Sequence, residues 1–287
     1  MALNLKTLAT RSLSAAVFVV LLISSVLWNY FTFSAFFYVV SLIGLIEFYN
    51  IAQKLDSKPF KIAGLLFASL IYLMTLNYNL FGCSLFDKIV ISKHQIFLLL
   101  LIAVIFLIPV LALFIKRTPD IKDVLFTLFG IFYSVVPFVT LNLMASQNNQ
   151  FSPKLILGII FLIWRNDTFA YLGGSLFGKN KMIERISPGK TWEGTIFGVL
   201  ITFVMSFLFK NFFENEFGLL WLFFGFFVPV LATIGDLIES MLKRQAQIKD
   251  SGNIMPGHGG VLDRFDSLIF VAPIVFIILN IFNVISG

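Results

Sequence analysis

Residues 95–115 read QIFLLLLIAVIFLIPVLALFI, 21 consecutive positions without a charge. An α-helix needs roughly 20 mostly apolar residues to cross the hydrocarbon of a bilayer. The stretch does not alternate between polar and apolar positions, so it is neither a half-buried strand nor a strand of a membrane barrel. It is read as a membrane helix, and it sets the scale for the rest of the chain. Outward from it, runs of the same kind recur at about 12–28, 31–52, 62–80, 121–144, 154–172, 194–213, 218–241 and 265–285. The fold expected is an all-α polytopic membrane protein with nine spans.

The bulk composition agrees. Of 287 residues, 59% are apolar and only 13% are charged, against about 25% charged in an average soluble domain. Mean hydropathy is +0.94. These values exclude a soluble enzyme, a disordered chain and a disulfide scaffold. Cys83 is the only cysteine, so no intramolecular disulfide or cysteine-based zinc site can form. The net charge of +6 is better explained by membrane topology than by nucleic acid. Lys6 and Arg11 precede the first apolar run. No small-residue cleavage site closes that run, and a second run follows at once, so it reads as an uncleaved span rather than a signal peptide.

An odd number of spans puts the termini on opposite sides. With nine spans, 17 of the 21 Lys and Arg fall on the side of the N-terminus, which identifies that side as the cytoplasm. Residues 1–150 then hold five spans. Residues 151–287 hold four spans and two charged cytoplasmic segments, and form the expected catalytic region. Pro109, Pro137, Pro229 and Pro273 lie inside runs and read as tolerated kinks.

The two segments, 165–193 and 236–266, carry eight and nine charges, nearly half of the 36 in the chain. In the second, spacings of three, four and seven place Asp236, Glu239, Ser240 and Lys243 on one helix face. A carboxylate in a membrane helix costs about 2.5–3.5 kcal/mol on insertion scales, so a partner is required. An interfacial Asp–Lys pair meets that need, and so does a metal or substrate site. Asp263 and Asp266 follow, three apart at the start of the last span. One of them is explained by helix capping; both, together with Asp236, suit a hard divalent cation such as Mg²⁺.

Between these groups lies KDSGNIMPGHGG, residues 249–260. Glycine-rich backbone can turn its N–H groups toward an anion. Gly259 and Gly260, flanked by Lys243, Arg244, Lys249 and Arg264, therefore suggest a metal–polyphosphate site. His258 reads as a general base, a phosphate donor or a plain loop residue; His94 is given no role. In the first segment, Asp167 is a further near-membrane carboxylate, and Ser187-Pro-Gly-Lys190 reads as a turn or as a phosphate-binding element.

At these residues the sequence resembles the phosphatidate cytidylyltransferase family. The pattern runs from Ser240-Met-Leu-Lys243-Arg244 through Lys249-Asp250-Ser-Gly252 to Pro256-Gly-His258-Gly259-Gly260-Val-Leu-Asp263-Arg264-Phe-Asp266. Asp167-Thr-Phe-Ala-Tyr and Ser187-Pro-Gly-Lys190-Thr-Trp-Glu-Gly194 are similar to that family as well. Met255 departs conservatively from the Leu, Ile or Phe usual there. The motifs cover about 164–266. Earlier in the chain the resemblance is in hydropathy alone, apart from Glu47, where the family also tends to have an acid.

The resemblance implies that CTP and phosphatidic acid give CDP-diacylglycerol and pyrophosphate, with Mg²⁺; a second cation such as K⁺ is compatible with it. It also implies a homodimer and a bacterial inner membrane with the site on its cytoplasmic face. On this reading Asp236, Asp263 and Asp266 hold the metal. Asp236, Asp263, Lys249, Arg264 and His258 form the catalytic set. Lys243, Arg244, Ser187, Lys190, Asp167, Gly259 and Gly260 bind substrate. A phosphate monoester is largely ionised at pH 7, so no general base is needed, and His258 is expected to bind phosphate. Asp167-x-x-Ala170-x-x-x-Gly174 also resembles a motif of CTP-dependent polyprenol kinases. A transporter is disfavoured, because its charges should lie near the bilayer midplane.

Overall fold

The computed structural model describes residues 5–76, 92–114, 120–146, 150–212, 218, 220–255, 257 and 259–286. Each of the nine apolar runs carries helix. The helices are α1 (Leu5–Trp28), α2 (Tyr30–Lys54), α3 (Lys61–Met74), α4 (Lys93–Leu113), α5 (Ile121–Ser134), α6 (Val136–Ala145), α7 (Pro153–Phe177), α8 (Trp192–Phe212), α9 (Leu220–Gln245) and α10 (Leu262–Ser286). Two short strands, β1 (Lys181–Ile183) and β2 (Ser187–Thr191), pair antiparallel between α7 and α8.

Among the described residues, ten helices serve nine runs because one run is broken. Val135 leaves helical geometry at ψ −48° with φ −117°, and Pro137 enters α6 in its first turn. Proline has no N–H to continue the ladder, so the run 121–144 bends into α5 and α6. Pro109, Pro229 and Pro273 stay inside single helices, as expected. Among the described residues, six segments are long and apolar enough to cross a membrane, counting α5 and α6 together. The helices at 12–28, 61–74 and 192–208 are shorter.

Local sequence explains several helix starts. Asn29 breaks α1 from α2 and forms a capping box with Thr32; Ser92 and Gln95 do the same for α4. Asp120 accepts from the Lys122 N–H at the start of α5 (3.0 Å). Each cap satisfies amides that have no partner in the first helical turn.

The chain packs as two compact units. The first comprises Met1–Pro153 with Gln245–Arg264, and the second Lys154–Arg244 with Phe265–Gly287. In the first, α2 packs on α1, α3, α5 and α6. Tyr49 is fully buried there and donates to the Thr127 carbonyl (3.0 Å). Its ring lies where side chains at Gly64 and Gly130 would stand. Polar groups inside this unit pair with one another. Ser34 donates to Asn142 Oδ1 (2.8 Å), Asn142 donates to the Tyr72 hydroxyl, and Tyr72 donates to the Ser34 carbonyl (3.0 Å). With no water in a bilayer core, such groups must find internal partners.

In the second unit, α7 and α8 cross in near backbone contact. A Cβ on Gly194 would stand 2.6 Å from the Ala170 carbonyl and 2.8 Å from Gly174 Cα. A Cβ on Gly198 would stand 2.8 Å from Asn166 Oδ1. Small residues four apart on both helices, Ala170 and Gly174 against Gly194 and Gly198, allow this approach where lipid supplies no hydrophobic drive. The Asp167–Gly174 stretch is thus helix, and its small residues have a packing role.

Candidate active site

Residues 187–191, read as a turn or a binding element, form the extended strand β2. Its hairpin is tied down by Glu193 in the first turn of α8. Glu193 accepts from the backbone N–H groups of Lys179 and Asn180 (3.2 Å each) and from Asn180 Nδ2 (2.7 Å). The Asn180 carbonyl in turn accepts from the Trp192 N–H (3.0 Å). At the other end, Arg244 Nε donates to the Ile186 carbonyl (3.3 Å). Held so, β2 presents Lys190 to α9, where its Nζ lies 2.6 Å from Asp236 Oδ2. Both side chains are part-exposed, at 25% and 32%.

Asp236 is the centre of the charged cluster in the second unit. Its other oxygen accepts from Ser240 Oγ, one turn on (3.2 Å). Asp167 from α7 lies within electrostatic reach of Lys190 and Asp236. Asp266 from α10 lies within reach of Asp236, Asp167 and Lys243. On the same face of α9, Lys243 Nζ stands 2.5 Å from Glu239 Oε2, a carboxylate that is 1% exposed. The backbone of Asp266 approaches α9 at Gly235, where a Cβ would meet its carbonyl oxygen at 2.8 Å. Three aspartates, Glu239 and two lysines therefore converge from α7, β2, α9 and α10.

Asp236, Asp266 and Asp167 lie within electrostatic reach of one another in this unit. Asp263 belongs to the first unit. Its Oδ2 accepts from the Ser251 N–H (2.8 Å), Ser251 Oγ (2.9 Å) and the Gly260 N–H (2.8 Å). These bonds tie the glycine loop to the first turn of α10.

The glycine loop also lies in the first unit. Gly257 and Gly259 have φ of +77° and +83°, a region that favours glycine. The Met255 N–H bonds to the Gly259 carbonyl (3.0 Å) and closes the turn. Lys249 and Arg264 are exposed at either end of the loop, and Arg244 is exposed at the end of α9. His258 lies outside the described residues, and so does Cys83. Ser187 is half-buried in β2.

Two acidic anchors were not assigned a role from the sequence. Glu193 orders the hairpin, and Glu47 of α2 binds the glycine loop. The available signal for Glu47 was its position, since it is the one charge within the otherwise apolar stretch 31–52.

A divalent cation fits the donor chemistry of the second-unit cluster. Carboxylate oxygens are the ligands a hard ion prefers, and Asp236, Asp266 and Asp167 lie close enough to repel one another. Among the described residues, no group of three or more His, Cys, Asp or Glu forms a ready-made metal cage. Mg²⁺ does not need one, because it is held by one or two carboxylates plus water and substrate phosphates.

Comparison with known proteins adds identity to this geometry. Residues 9–282 match the model of the cytidylyltransferase family. The phosphatidate cytidylyltransferase of Bacillus subtilis (strain 168) is 32% identical over 277 residues, 96% of this chain and 97% of that protein. The protein of the same name from Haemophilus influenzae is 39% identical over 162 residues, 53% of this chain and 56% of its own length. That from Rickettsia bellii is 39% identical over 166 residues, 55% of this chain and 70% of its own length. The chain belongs to the cytidylyltransferase family.

Proposed function

We propose that the protein transfers the cytidylyl group of CTP to phosphatidic acid, giving CDP-diacylglycerol and pyrophosphate in phospholipid synthesis. The observation that carries this reading is the match along nearly the whole chain to a relative of that name, combined with a lysine–carboxylate cluster suited to phosphate chemistry.

The lipid phosphate attacks the α-phosphorus of CTP. The bond from that phosphorus to the β-phosphate bridging oxygen breaks, and pyrophosphate leaves. Nucleophile and electrophile are both anionic, and two unit charges 4 Å apart repel by about 4 kcal/mol at an effective dielectric near 20. Neutralising that repulsion and aligning the groups in line are the main demands. Lys190 and Lys243 meet the first in the second unit; Lys249, Arg244 and Arg264 add exposed cations. Gly259 lends backbone to a phosphate beside Gly260, whose own N–H is taken by Asp263 (2.8 Å), and Ser187 adds a hydroxyl from β2. Asp236 and Asp266, with Asp167, would hold Mg²⁺, which supplies charge neutralisation to the phosphates when bound. Asp263 contributes first by ordering the loop, and a metal-ligand role for it is part of the same proposal, as are phosphate binding by His258 and a second cation.

The same reading holds that nine helices span a bacterial inner membrane as a homodimer. The N-terminus and the site would face the cytoplasm, and the C-terminus the opposite side. The charge asymmetry supports this, since 17 of the 21 basic residues fall on one side.

The test is purified protein in mixed micelles with CTP, Mg²⁺ and phosphatidic acid. The expected result is equal release of pyrophosphate and CDP-diacylglycerol. No cytidylyl lipid, or phosphorylation of a polyprenol supplied instead, would refute the proposal.

A further inference from the structure

Glu47 is a carboxylate on α2 that is 4% exposed. A buried charge is tolerated only when donors surround it. Here both oxygens are used. Oε1 accepts from the Val261 N–H (3.0 Å), and Oε2 accepts from the Leu262 N–H (2.9 Å) and lies 3.1 Å from Ser251 Oγ. Val261 and Leu262 stand at the very start of α10, where amides have no intrahelical acceptor and the helix dipole is positive. Glu47 therefore caps α10 from a different helix, more than 200 residues away in sequence.

Ser251 links this cap to Asp263. Its hydroxyl lies 3.1 Å from Glu47 Oε2 and 2.9 Å from Asp263 Oδ2. Both ends of the segment 251–262 are thus gathered on two carboxylates. The glycines record the same fit. A Cβ on Gly252 or on Gly260 would collide with the Glu47 carboxylate. Space at these two positions is taken by Glu47, so glycine is required there for close approach and not for a turn.

We propose that Glu47 is a positioning residue for the reaction. It sets the register of the glycine loop and the start of α10, and so places the loop backbone at Gly259 for the substrate phosphates. This rests on the reading that the loop receives phosphate.

The experiment uses the full chain in mixed micelles, with steady-state kinetics and hydrogen exchange on the same preparations. Glu47→Gln puts an amide donor against one of the N–H donors. It is expected to raise the KM for CTP about tenfold or more, the range seen when an outer-shell partner is lost. A loss of folded enzyme cannot change KM. Exchange should quicken in 251–262 and stay unchanged elsewhere. Gly252→Ala should act in the same direction by collision. In a Glu47→Ala background the added methyl has room, so Gly252→Ala should then cost less than about twofold; coupling of this kind marks residues in direct contact. A raised KM for phosphatidic acid instead of CTP, with exchange still local to 251–262, supports the positioning role and shows that the loop serves the lipid phosphate. Unchanged KM values for both substrates would overturn the proposal. So would exchange that quickens uniformly along the chain, or equal costs of Gly252→Ala in both backgrounds.

Discussion

Gly235→Ala probes how closely α9 and α10 must lie for the cluster to work. The methyl would stand 2.8 Å from the Asp266 carbonyl oxygen, 2.8 Å from Phe270 Cβ and 3.3 Å from Ser267 Cα. These atoms belong to the backbone, or to a Cβ that moves with it, and cannot rotate away. To reach ordinary contact at 3.4 Å, the start of α10 must retreat by about 0.6 Å. Overpacking of this kind costs about 1–3 kcal/mol. The functional cost is larger, because Asp266 moves with the helix while Asp236, the next residue after Gly235, does not. A misplacement of 1 Å can cost about 100-fold, so roughly 0.6 Å should cost on the order of tenfold in kcat. CDP-diacylglycerol formation per folded molecule is the assay, with thermal unfolding in detergent as its companion. Gly225→Ala is the control. Its methyl would run into Ser206 Cβ, a collision of the same kind but about three helical turns from Asp236, so it should lower stability and leave kcat per folded molecule near wild type. A Gly235→Ala protein within twofold of wild-type kcat would refute the argument that the Asp236–Asp266 spacing is critical.

Other predictions address single groups. Asp263→Asn is expected to abolish activity while membrane insertion stays normal. Asparagine keeps an oxygen to accept from the Ser251 and Gly260 N–H groups, so such a loss reports the charge, and substantial activity at ordinary Mg²⁺ would leave loop ordering as the only role. Lys190→Gln breaks a part-exposed ion pair. Screening holds the stability cost to about 1 kcal/mol or less, yet pyrophosphate release should fall at least about tenfold; a fall matched by the loss of folded protein would remove Lys190 from the chemistry. Chelation should stop the reaction and added Mg²⁺ should restore it, and activity that persists in excess chelator would remove the cation from the mechanism.

Much of this was legible without coordinates. Every apolar run carries helix among the described residues, because length and uniform hydropathy leave the backbone no other way to satisfy its own hydrogen bonds in lipid. The face carrying Asp236, Glu239, Ser240 and Lys243 followed from helical spacing, and the Lys243–Glu239 and Ser240–Asp236 contacts are of that local kind. The kink at Pro137 was marked by the proline itself. Other features were hidden. Residues 187–191 contain proline and glycine, so they read as a turn, but they are extended, because Glu193 and Asn180 clamp the hairpin from outside it. Ala170 and Gly174 looked like part of a ligand motif, whereas their partners at Gly194 and Gly198 show a helix crossing. That pairing is not visible from either segment alone.

The sequence by itself determined that the chain is helical and membrane-embedded, that its charges gather in two segments, and which residue types are available for phosphate chemistry. These are properties of composition, period and near-neighbour spacing, and they need no knowledge of distant contacts. Only the tertiary structure decided which carboxylates keep company. Asp167 joins Asp236 and Asp266 because α7 and α9 carry it there. Asp263 turns to Ser251 and Gly260, and Glu47 reaches across more than 200 residues to cap α10. A carboxylate takes the donors that packing brings to it, and packing between helices far apart in sequence leaves no period in the chain to read.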